Sequence, residues 1–113
     1  MSKLKIRSVY KRSIRQAEKE TASLLAKIEA AGIPASSCEA YGADIGVQVW
    51  PPFPDHDSGR DLVAVLRQDC WEITLRDSSN PDIKSDEVLV VEASTTADAV
   101  AFILDWSQRG GYW

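Results

Sequence analysis

Apolar residues of this chain change period once going in and once coming out. From Ile6 to Ala31 they recur at helical spacing. Tyr10, Ile14, Ala17, Thr21, Leu24, Ile28 and Ala31 step by four and three, and Leu25 widens the stripe. Lys5, Lys11, Arg12, Arg15 and Lys19 fall on the opposite side of the same cylinder. Gly32 followed by Ile33 and Pro34 predicts a stop, because glycine suits the left-handed position after a helix and proline cannot continue one.

The period then drops to two. Residues 35–41 read as a short edge strand, with Gly42 at a turn. Ile45, Val47 and Val49 alternate with Asp44, Gly46 and Gln48, the pattern of a half-buried strand. That strand ends at Trp50-Pro51-Pro52-Phe53-Pro54, since proline has no N–H for a ladder. Residues 50–59 therefore read as an exposed loop, stiff in its first half. Residues 62–66 are apolar throughout and fit either a strand or the start of a helix. Trp71, Ile73 and Leu75 follow with strict alternation after a connection of hairpin length, and they favour the strand. Residues 78–82 form a turn cluster. Val88 to Val91 is a β-branched run of the kind found in a central strand.

Thr95 or Thr96 then caps a second helix that runs to about Gln108 and stops at Gly110-Gly111. The order is a long N-terminal helix, an antiparallel sheet of about four strands, and a C-terminal helix. Both helices have apolar faces that need cover, so both are expected on one side of the sheet. The fold class is α+β, a two-layer sandwich. The other sheet face would carry Asp44, Gln48, Glu72, Thr74 and Arg76.

Size adds one domain, 1–113, with enough chain for its own core. Charge adds an asymmetry. Residues 1–20 hold seven Lys/Arg and two Asp/Glu, a net of +5. Residues 21–113 hold six and fifteen, a net of −9, which together give the overall −4. No apolar run reaches the roughly 18 residues of a membrane span. The start Met1-Ser2-Lys3-Leu4-Lys5 has no apolar stretch behind its basic residues, which argues against a secretory signal. Cys38 and Cys70 are too few for a disulfide framework and read as reduced thiols, so a cytoplasmic protein is expected.

Catalytic chemistry finds little support. His56 lies between Asp55 and Asp57, but consecutive loop residues point in different directions and seldom converge on one metal. It is the chain's single histidine. There is no phosphate-cradling glycine loop and no nucleophile elbow. No metal, cofactor or enzymatic activity is expected. The order of elements is similar in topology to double-stranded RNA-binding domains. Those domains carry a basic cluster at the start of the last helix, where this chain has Thr95-Thr96-Ala97-Asp98 and no Lys or Arg before Arg109. The similarity therefore implies nothing about function.

Two segments have the character of recognition surfaces. Trp50 and Phe53 are stiffened by prolines and flanked by Asp55 and Asp57, and a stiff loop loses little entropy on binding. Phe102 and Trp106 stand one turn apart on the helix side marked by Asp98, Asp105 and Arg109, as an aromatic contact patch would. The bland readings are a rigid connector with Trp50 folded back, and a helix sunk more deeply in the core. The expectation is a small protein-binding module of bacterial or phage type. It would block or modulate a partner protein, as immunity proteins and phage inhibitors of host defence do, and the acidic two-thirds of the chain suits one with a basic surface. Trp50, Phe53, Asp55, Asp57, Phe102, Asp105 and Trp106 would make the contact. The alternative is a nucleic-acid-binding regulator that uses Lys5, Lys11, Arg12, Arg15 and Lys19 on phosphates. The state expected is a monomer or weak homodimer, the latter through the heptad-spaced stripe of the first helix.

Overall fold

The computed structural model describes residues 18–40, 44–52, 59–67, 70–77 and 87–111. Helix α1 occupies residues 18–30 of these. It is followed by β1 (Ala35–Ala40), β2 (Asp44–Val49), β3 (Arg60–Leu66), β4 (Trp71–Asp77) and β5 (Glu87–Ala93), and then by α2 (Thr96–Gln108). The five strands form one antiparallel sheet whose lateral order is the chain order, β1-β2-β3-β4-β5. The class is the α+β layout that the periodicity predicts, with five strands in place of about four. Residues 62–66 are strand.

Both helices end as their glycines require. In α1, Gly32 adopts φ 80° and donates to Glu29 O at 2.9 Å, while Ile33 donates to Ile28 O at 3.3 Å. This pair of bonds satisfies the last carbonyls and places Ile33 over Ile28, both buried. In α2 the same geometry recurs, with Gly110 N donating to Ser107 O and Gly111 N to Trp106 O, each at 3.0 Å. The α2 start is capped by Thr95, whose hydroxyl accepts from Asp98 N at 3.1 Å.

One apolar cluster joins the helices to a single sheet face. It contains Leu24, Ile28 and Ile33 from α1 and its exit, and Ala99, Ile103 and Trp106 from α2. From the sheet it takes Val47, Val49, Leu62, Ala64, Trp71, Ile73, Leu75 and Ala93. The strand residues alternate, so every second side chain enters this layer. Trp71 also donates its ring N–H to Thr96 Oγ1 at 3.1 Å, which pins β4 to the start of α2.

The other sheet face carries Gln48, Glu72, Thr74 and Arg76, as the alternation predicts, and it is not a simple solvated surface. Val63, Val65 and Thr74 in its middle are closed to solvent, with Thr74 only 1% exposed. Asp61 joins three strands across it, accepting from Gln48 Nε2 on β2 at 2.7 Å and from Arg76 Nε on β4 at 2.7 Å. The second guanidinium N–H of Arg76 reaches the other carboxylate oxygen, so the pair is two-pronged.

One strand departs from its sequence pattern. The run Val88–Val91 predicts a central strand, yet β5 is the last strand of the sheet and pairs with β4 alone among the described residues. Lateral order follows chain order here, so among the described residues no later strand covers the final one.

Candidate partner-binding corner

The two segments singled out for recognition lie 52 positions apart at their first residues, Trp50 and Phe102, and the fold brings their bases together. Arg60, the first residue of β3, leaves the proline loop and donates from its guanidinium to Gly110 O at 3.2 Å, just past the end of α2. Gly111 packs against Pro51 and Trp106. A Cβ added there would lie 2.8 Å from Pro51 Cγ and 3.3 Å from the Trp106 ring. Gly111 also has φ 85°, so the site requires glycine for both space and backbone. Pro51 is fully buried and Arg60 nearly so. These residues form a pedestal that ties both ends of the loop to the helix C-terminus.

Trp106 belongs to that pedestal and not to an outer patch. It is 2% exposed and part of the core cluster, while Phe102 is half-buried against the same cluster. The reason is the depth at which α2 sits. Ala97, Asp98, Ala101, Asp105, Gln108 and Arg109 make its exposed side, and Phe102 and Trp106 stand at the margin where the helix turns toward the sheet. Trp106 Nε1 is buried with no acceptor among the described residues, an unsatisfied donor held in place by packing. Sequence reasoning also missed Arg60. A charged residue opening a strand gives no local sign that it will be buried.

Trp50 is half-buried, and its backbone N–H donates to Pro34 O at 3.0 Å, which anchors the loop entry to β1. Asp105 remains exposed on the last turn of α2, paired with Arg109 at 3.2 Å in an i,i+4 contact open to water. Phe53, Asp55 and Asp57 lie outside the described residues, as do Lys5, Lys11, Arg12 and Arg15 of the basic face. Lys19 is described and exposed. The heptad stripe before residue 18 likewise lies outside the description.

Other chemistry is sparse. Among the described residues no three His, Cys, Asp or Glu side chains group to hold a metal ion. Neither Cys38 nor Cys70 is in a disulfide, and both are half-buried. Burial pushes the Cys38 thiol above its ordinary value of 9.0. The Asp61 charge adds to this, while Arg76 and a backbone hydrogen bond from Gly46 oppose it. A thiol so shifted is a poor nucleophile. No helix among the described residues is long and apolar enough to cross a membrane. Compared with known proteins, the chain matches no protein-family model, no curated protein and no solved structure.

Proposed function

We propose that this chain is a small non-enzymatic protein-binding module that blocks or modulates a partner protein, of the kind bacteria use for immunity and phages use against host defence. The observation that carries the reading is the convergence of the proline loop and the C-terminal end of α2 on one buried pedestal of Pro51, Arg60, Trp106 and Gly111. Two candidate recognition segments, distant in sequence, share one corner. Anchoring the two ends of the loop in this way lowers the entropy lost when a partner docks. Trp50, Phe53, Asp55, Asp57 and Asp105 form the proposed contact set, Phe102 supports it from the helix, and Trp106 acts from beneath. The excess acid of residues 21–113 favours a partner with a basic surface, whose capture it would speed.

Affinity capture from bacterial lysate, with and without nuclease, tests this reading. The expected result is a protein partner retained after nuclease treatment, lost with Asp57→Lys or Asp105→Lys, and kept when Arg12 and Arg15 are changed to Glu. Retention that vanishes with nuclease, or with the Arg12 and Arg15 changes alone, overturns it and assigns function to the basic face of the first helix.

A further inference from the structure

We draw no further inference here: the strongest candidate, the exposed apolar patch of Leu89 and Val90 on β5, the last strand of the described sheet, carries nothing because nothing in the structure shows what covers it.

Discussion

On the helix side of the sheet, Val47, Val49, Leu62, Ala64, Ile73 and Leu75 meet Leu24, Ile28, Ala99 and Ile103 in one apolar cluster. On the opposite side the same strands hold Gln48, Asp61 and Arg76 in one hydrogen-bonded row beside buried Val63, Val65 and Thr74. The first face is held by burial that has no direction, so it tolerates exchanges that conserve volume. The second is held by bonds that have direction. A slip of one residue in β3 would carry Asp61 through the sheet and away from both partners, so the row specifies register more than it supplies energy.

The largest break in this contrast is expected on the helix side. Ile73→Ala should cost about 2–5 kcal/mol in urea unfolding, whereas Ile73→Leu should cost less than about 1.5. Equal losses from the two changes would show that the face depends on shape as strictly as the other does. Gly46→Ala comes next, at about 1–3 kcal/mol. Its new Cβ would lie 2.9 Å from Ala64 O and 3.0 Å from Val65 Cγ2, and the first of these is backbone that cannot swing away. Asp61→Ala follows at about 1–2 kcal/mol, held down by the partial exposure of Arg76. A double-mutant cycle of Asp61→Ala with Arg76→Ala should return a coupling of the same sign, and a coupling of zero would remove the row from the account. At the exposed corner, Asp105→Ala should move stability by less than about 0.5 kcal/mol, since its pair with Arg109 stands in water.

Cys38 offers the smallest effect, in pH dependence. Its folded-state value is raised, so the stability it contributes is present below the ordinary 9.0 and is lost as pH climbs through the folded value. Denaturation midpoints should therefore fall slightly more above pH 9.0 in the wild type than in Cys38→Ser. Alkylation of Cys38 by iodoacetamide should also be slower than that of an unstructured thiol at the same pH. Faster alkylation would contradict the burial that raises it.

Much of the fold was legible along the chain because its signals are local. The glycine stop at Gly32, the cap at Thr95, the alternation of Trp71, Ile73 and Leu75, and the proline end of β2 each act within a few residues. The candidate site was legible only in pieces. Trp50 and Asp105 were visible as residue types in suggestive settings, but the burial of Trp106 depended on how deeply α2 lies against the sheet. Arg60 could not be picked out, because its partner, the carbonyl of Gly110, lies fifty residues away.

Sequence alone therefore determined which segments are helix or strand, where they stop, and which side of each strand is apolar, since periodicity and turn chemistry are properties of short stretches. Tertiary structure decided which strand lies last in the described sheet, that the middle of the second sheet face is closed to solvent, and that the ends of the proline loop meet the end of α2. Those outcomes depend on contacts between distant residues, and the clearest case is β5. Its composition suits a strand with two neighbours, and only the lateral order of the sheet leaves it with one among the described residues.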